Sequence, residues 1–203
     1  MSNVMRGFHA VSVFAALLFL QSCGSAPVKT VYVLGAPAAP VAGVASNAGK
    51  PTVELRPAAV PDYLDSTDLQ TRDGRNEVKI SQTGRWGERL SIGVTSAVED
   101  ELARRLPAIS FERSDASGPA SRTLLINVDA FDVRSDGHCV LVAHWTILGE
   151  DRRPAVSRRA TIVTPVSSPS DAGAVAAMTA AVSQLAGDIA ADLTRVAPKR
   201  AGS

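Results

Sequence analysis

The chain has 203 residues, 45% of them hydrophobic, with 21 Lys+Arg against 20 Asp+Glu. That length suits one domain with a real core. The near-zero formal charge excludes the basic excess by which nucleic-acid binders are known.

The first element is a secretion signal. Arg6 supplies the positive start, and Ala10 to Leu20 is an apolar run broken only by Ser12. Leu20-Gln21-Ser22-Cys23 follows the lipobox order of apolar, variable, small, Cys, although Gln21 is unusual at its position. An ordinary signal ends in a small-residue cleavage site without Cys. A membrane-spanning helix is the plainer alternative, but the run falls short of the ~20 apolar residues a span needs. The pattern predicts cleavage before Cys23, a thioether to diacylglycerol, and acylation of the new amine by a palmitate-type chain. Each buried CH2 adds about 0.8 kcal/mol, and two chains already anchor a protein stably. Gly24 stands where an Asp tends, in enteric bacteria, to retain lipoproteins at the inner membrane, so the outer membrane with a periplasm-facing body is expected. Arg6 is the one charge in segment 1–22, so the mature chain carries 20 charges of each sign. Of the two cysteines, Cys23 goes to lipid and Cys139 is left without an intramolecular partner. Cys139 lies in an apolar strand and reads as a small buried hydrophobe.

The expected organisation is a signal over 1–22, a tether over 23–29, one domain over 30–197 and a tail over 198–203. Thr30 to Leu34 is a β-rich run and a predicted strand. Gly35 to Gly49 is rich in Ala, Pro, Gly and Ser and reads as a loop. Thr52 to Arg56 alternates and reads as a second strand. Pro57 to Asp68 is irregular. Leu69 to Arg72 and Glu77 to Ser81 read as a hairpin closed by Asp73-Gly74-Arg75-Asn76. Gly84 to Arg89 reads as a turn into a helix. Leu90, Val94, Val98, Leu102 and Leu106 then recur at helical spacing, with Ser91 as the expected N-cap and Pro107 as the stop. Ile109 to Glu112 is a short β-like run, and Ser114 to Ser121 is a polar loop. Thr123 to Val133 alternates strongly, with Leu124, Ile126 and Val128 on one side and Asn127 and Asp129 on the other. Asp136-Gly137 closes a hairpin with Cys139 to Leu148, and Arg158 to Val166 returns as a third strand. A helix over Asp171 to Val196 carries an apolar stripe from Val175 to Val196. Its plainest role is to cover the sheet, with a subunit contact as the alternative. The order predicts a single-domain α/β sandwich: a mixed β-sheet with an antiparallel meander and packed helices.

Catalytic chemistry is not legible. His138 and His144 fall on one strand, about 20 Å apart at ~3.3 Å per residue, too far to share a metal. Cys139 points away from His138. There is no Gly-rich phosphate loop and no nucleophile elbow. No catalytic residue, metal ligand or cofactor site is assigned, and the chain is not expected to be an enzyme.

One series of motifs goes further. Val60-Pro61-Asp62-Tyr63-Leu64-Asp65 precedes the polar hairpin. Glu77 to Ser81, Arg85-Trp86, Leu90 and the helix ending Leu106-Pro107 follow. Then come Leu125 to Phe131, Asp136-Gly137 and Val142-Ala143-His144-Trp145. Together with the lipobox and the terminal helix, this order resembles the PqiC/YmbA-like family of ABC-type transport auxiliary lipoproteins, over nearly the whole mature chain. The resemblance implies an outer-membrane lipoprotein of an intermembrane lipid transport system. Its implied partners are an MCE-domain protein that bridges the periplasm and the inner-membrane ABC permease system. It also implies a homo-oligomer, no chemistry of its own and no cofactor. A lipid-shuttling carrier with its own hydrophobic cavity is the alternative. Pro61, Asp62, Tyr63, Leu64 and Trp86 are the candidate partner-binding residues, with Tyr63 and Trp86 as aromatic anchors beside an exposed strand edge. Each also has a structural reading: Pro61 fixes φ, Asp62 caps a turn, Tyr63 and Leu64 plug the core edge, and Trp86 buries apolar area.

Overall fold

A computed structural model describes residues 28–35, 47, 49–113 and 121–196. The signal, Cys23, most of the tether, nearly all of the Gly35 to Gly49 loop, most of the Ser114 to Ser121 loop and the 198–203 tail lie outside the described residues. The elements run β1 (Thr30–Tyr32), β2 (Thr52–Leu55), β3 (Asp68–Asp73), β4 (Glu77–Trp86), α1 (Leu90–Arg105), β5 (Ser110–Arg113), β6 (Arg122–Arg134), β7 (His138–Leu148), β8 (Pro154–Pro165) and α2 (Asp171–Arg195).

The strands make one eight-stranded mixed sheet that forks at β6. On one side β6 runs antiparallel to β7 from Thr123↔Leu148 to Val133↔Cys139, and β7 pairs in turn with β8. This is the expected meander, and Asp136-Gly137 is its first turn; Gly137 takes a positive φ of 83° there, which suits glycine. On its other side β6 is shared. Its start pairs parallel with β2 and its end parallel with β3, with a single bridge Ala59↔Asn127 between them. β5 extends the sheet from β2, while β4 and then β1 extend it from β3.

Alternation explains how β6 keeps one face dry. Leu124, Ile126 and Val128 are buried, then a bulge between Val128 and Ala130 shifts the phase so that Phe131 and Val133 are buried instead. Both helices pack their apolar residues, Val94, Val98 and Leu102 from α1 and Met178, Val182, Leu185, Ile189 and Leu193 from α2, into one core with this face. By length and composition α2 could cross a membrane, but half of its apolar stretch is buried inside the fold. Cys139 is fully buried and unpaired, and burial pushes its thiol up to about 11.

Three boundaries differ from the sequence reading. Gly84 is not a turn: β4 continues to Trp86 because β1 pairs with Gly84, Arg85 and Trp86. Its glycine is needed for close packing, since a Cβ there would stand 2.5 Å from an Asp171 carboxylate oxygen. Ser91 does not cap α1. The N-cap position is Arg89, whose side chain makes no cap bond, and the Ser91 N–H is taken by a residue from another segment. Last, β8 begins at Pro154 rather than Arg158, because β7 offers pairing as far as Leu148.

Asp192 is the main polar group inside the core. It is buried, yet it accepts the Trp145 indole N–H at 3.1 Å and meets Arg158 at 3.2 Å and Arg195. The three contacts explain how a carboxylate is tolerated there. Asp192→Ala strands the indole donor, which costs about 2 kcal/mol. For a domain of this size that lowers Tm by roughly 4–8 °C, readable by thermal melting. Cys139 should stay unreactive to a thiol reagent until the protein unfolds.

Candidate functional site: the Tyr63 surface

The site starts as a continuation of β2. After Leu55 the chain stays along β6: Arg56 N–H donates to the Leu124 carbonyl at 3.1 Å, Ala59 N–H to the Ile126 carbonyl at 3.0 Å, and Val128 N–H to the Ala59 carbonyl at 2.8 Å. Pro61 then turns it away. Its carbonyl accepts the N–H groups of Leu64 at 2.9 Å and Asp65 at 3.1 Å, and its ring holds φ for the turn.

This turn sends successive side chains to different places. Asp62 is exposed, Tyr63 is 44% exposed, and Leu64 is buried. Asp65 reaches the start of α1, where it accepts the Ser91 N–H at 3.0 Å and pairs with Arg89 at 2.9 Å. It is an N-cap supplied from outside the helix. Partial burial pushes the Asp65 carboxyl up, but the Ser91 N–H and the Arg89 guanidinium outweigh it and hold the group below the usual carboxylate range.

Tyr63 is held from β3. Arg72 donates to its phenol oxygen at 3.0 Å, with the guanidinium carbon 5.6 Å from the ring centroid. Gln70 donates to the Tyr63 carbonyl at 3.0 Å. Arg72 is fixed in turn by Asp132 of β6 at 2.9 Å, and that carboxylate is only 6% exposed. The Asp132 contact raises the Arg72 pKa further. Burial first, and then the Asp132 charge, push the Tyr63 phenol above its ordinary value. It therefore stays a neutral hydroxyl under physiological conditions.

Across the hairpin, Val78 lies opposite Arg72 and Ile80 opposite Gln70. Cross-strand partners share a face, so both belong to the Tyr63 side, and both are exposed. Beyond them the edge of β4 is open. β1 covers only Gly84 to Trp86, so among the described residues no strand pairs with the outer edge from Glu77 to Thr83.

The structure thus gathers Pro61, Asp62, Tyr63 and Leu64 into one turn but separates Trp86 from it in character. Trp86 is adjacent by backbone, its N–H donating to the Thr67 carbonyl at 2.9 Å, yet its side chain is 3% exposed. It stands in the core opposite Tyr32 and is not an exposed anchor. Leu64 is likewise a core plug. Sequence reasoning missed Gln70, Arg72, Asp132, Val78 and Ile80. A signal existed for Val78 and Ile80, which face Arg72 and Gln70 across the Asp73-Gly74 turn, but none existed for the Arg72–Asp132 pair, which is joined only through the β3–β6 ladder.

The histidines lie apart, His138 3.3 Å from Asp136 and His144 3.3 Å from Asp129. Among the described residues no group of three or more His, Cys, Asp and Glu could hold a metal ion. Two clefts of about 480 and 400 Å3 are open to solvent and lined largely by Arg, Asp, Ser and Thr. These features describe an α/β fold whose Pro61 turn carries a half-exposed tyrosine held by Arg72.

The chain belongs to the ABC-type transport auxiliary lipoprotein component family, whose sequence model matches residues 32–190. It is accordingly a membrane-anchored auxiliary component of an ABC-type transport system. Solved structures share its fold, among them the following two. The crystal structure of an uncharacterized protein aligns with TM-score 0.68 at 18% identity, covering 82% of this chain and 99% of that one. Protein XCC0632 from Xanthomonas campestris, assigned to DUF330, aligns with TM-score 0.61 at 18% identity, covering 79% and 92%. No curated protein matches the chain.

Asp65→Ala removes the α1 cap and should cost about 1 kcal/mol, a loss of roughly 2–4 °C in Tm. Because the folded pKa of Asp65 is depressed, its stabilisation is complete above the unfolded value of about 3.9 and is lost as pH falls through the folded value. The Tm gap between wild type and Asp65→Ala should therefore be constant from pH 7 to about 5 and should narrow below about 4.

Proposed function

We propose that this chain is the outer-membrane scaffold component of an ABC/MCE-type intermembrane lipid transport system. In this reading Cys23 is acylated and segment 23–29 tethers a periplasmic domain over 30–197, which works as a homo-oligomer. The Tyr63 surface captures an extended segment of the MCE-domain bridging protein. That segment adds to the open edge of β4 through backbone hydrogen bonds and lays side chains against Tyr63, Val78 and Ile80. Tyr63 is the anchor. Pro61 and Leu64 set its position, Asp62 stands at the rim, and Trp86 supports the strand from inside.

The observation that carries this reading is the restraint on an exposed aromatic ring. Tyr63 is held through Arg72 by a buried carboxylate. A side chain already fixed loses little rotamer freedom on binding, which is what makes Tyr an effective hot spot. The carrier alternative needs an apolar pocket of ~300 Å3 or more, whereas the clefts of about 480 and 400 Å3 are open to solvent and carry Arg, Asp, Ser and Thr in their walls.

Tyr63→Ala should weaken capture of the bridging protein by ~2 kcal/mol or more with the melting temperature unchanged. Pull-down paired with a thermal melt reads both. A large loss of stability would make Tyr63 a packing residue, and unchanged capture would place the interface elsewhere. Cys23→Ala should leave an uncleaved precursor that incorporates no radioactive fatty acid. Continued incorporation would refute acylation at Cys23.

A further inference from the structure

The molecule has two ends. β7 is 11 residues long, so its ends stand roughly 33 Å apart. At the first end the β3–β4 and β6–β7 turns are joined by the Ser135 N–H, which donates to the Arg72 carbonyl at 3.2 Å. The start of α2 is there too, tied by the Val166 N–H to the Gly137 carbonyl at 2.8 Å. Asp171 accepts the Ser81 and Thr83 hydroxyls at 2.8 and 2.7 Å, and Lys29 reaches the Ser81 carbonyl at 2.9 Å. The entering chain is therefore fastened partway along β4, beside the start of α2. The second end carries the Gly149 to Arg153 turn and the close of α2.

The tether limits what can meet the membrane. Thr30 lies beside Gly84 in a parallel register, so Val28 is about level with Gln82, roughly 17 Å short of Glu77 at ~3.3 Å per residue. From Cys23 to Val28 the chain can span at most ~17 Å. β1 runs away from the two joined turns, so a tether that continues its direction brings those turns, rather than the far turn, to the bilayer.

Between those turns lies the open cleft of about 480 Å3, lined by Arg72, Arg75, Asp132, Arg134, Ser135 and Asp136. Its two carboxylates are already engaged. Asp132 pairs with Arg72, and Asp136 accepts the His138 N–H at 3.1 Å with the imidazole 3.3 Å away. Arg75 and Arg134 are exposed and have no carboxylate partner among the described residues. Two guanidinium groups with spare N–H donors, at the end the tether delivers to the bilayer, match the planar, multidentate recognition of phosphate. We propose that this cleft binds the phosphate headgroups of the bilayer that holds the anchor, through Arg75 and Arg134, and so fixes the domain upright with its two joined turns against the lipid. This rests on acylation at Cys23 and adds an orientation and a lipid-headgroup site to it.

The test uses the full-length acylated protein in vesicles of phosphatidylethanolamine and phosphatidylglycerol carrying some lipid with a nitroxide headgroup. Asn76→Cys and Glu150→Cys place a fluorophore at the near and far turns, and buried Cys139 stays unlabelled. Flotation reports anchoring, and quenching reports distance from the headgroups. We expect both variants to float, the Asn76 label to lose most of its emission, and the Glu150 label to lose almost none. Adding Arg75→Gln and Arg134→Gln should preserve flotation and melting temperature but relieve much of the Asn76 quenching. Floating protein with equal quenching at both turns overturns the orientation and leaves anchoring intact. Quenching at Asn76 that ignores the arginine substitutions overturns the headgroup site. Failure to float removes the anchoring reading and this proposal with it.

Discussion

The backbone ladder of β6 is the constraint on which the rest depends. One strand serves four partners: β7 along one side, and β2, the Ala59 bridge and β3 in sequence along the other. A buried backbone must pair its N–H and C=O groups. Sharing one edge between two strands leaves a gap in the middle that some other backbone has to fill. Residues 56–59 fill it, and the chain must then leave the ladder before β3 begins. The Pro61 turn is that exit, and the exposed Tyr63 is its by-product.

The same geometry makes the Pro61 to Asp65 box serve two purposes. Leu64 and Asp65 work for the fold, one closing the core and the other capping α1. Asp62 is exposed and Tyr63 is half-exposed. Tyr63 is held by Arg72, which pairs in turn with the buried Asp132 of β6 at 2.9 Å. The position of the ring is thus tied to the fold through Arg72 and Asp132. An exposed ion pair would hold the ring weakly, because solvent screens it; the burial of Asp132 is what makes the restraint firm.

What was legible in the sequence follows from how local each signal is. The alternation of Leu124, Ile126 and Val128, the Asp136-Gly137 turn and the four-residue spacing of Leu90 to Leu102 depend on neighbours within a few residues, and each was placed correctly. Gly84 and Ser91 were misread because their local chemistry fits two situations. A glycine after a strand serves a turn or a close approach, and only the distant Asp171 decides between them. A serine near a helix start serves as a cap unless another residue takes its place, as Asp65 does. The Arg72–Asp132 pair left no local trace at all. The Pro61 to Asp65 box was visible as a motif, but the division into inward Leu64 and Trp86 and outward Tyr63 required the sheet.

The central claim is that the Tyr63 surface is where the transport partner is captured. The direct measurement is photo-crosslinking in living cells from a benzoylphenylalanine placed at position 63, with the same probe on the solvent side of α2 as comparison. The account predicts an adduct with the MCE-domain protein from position 63 and none from α2. An adduct from α2 alone, or adducts from position 63 only to other copies of this chain, would contradict it.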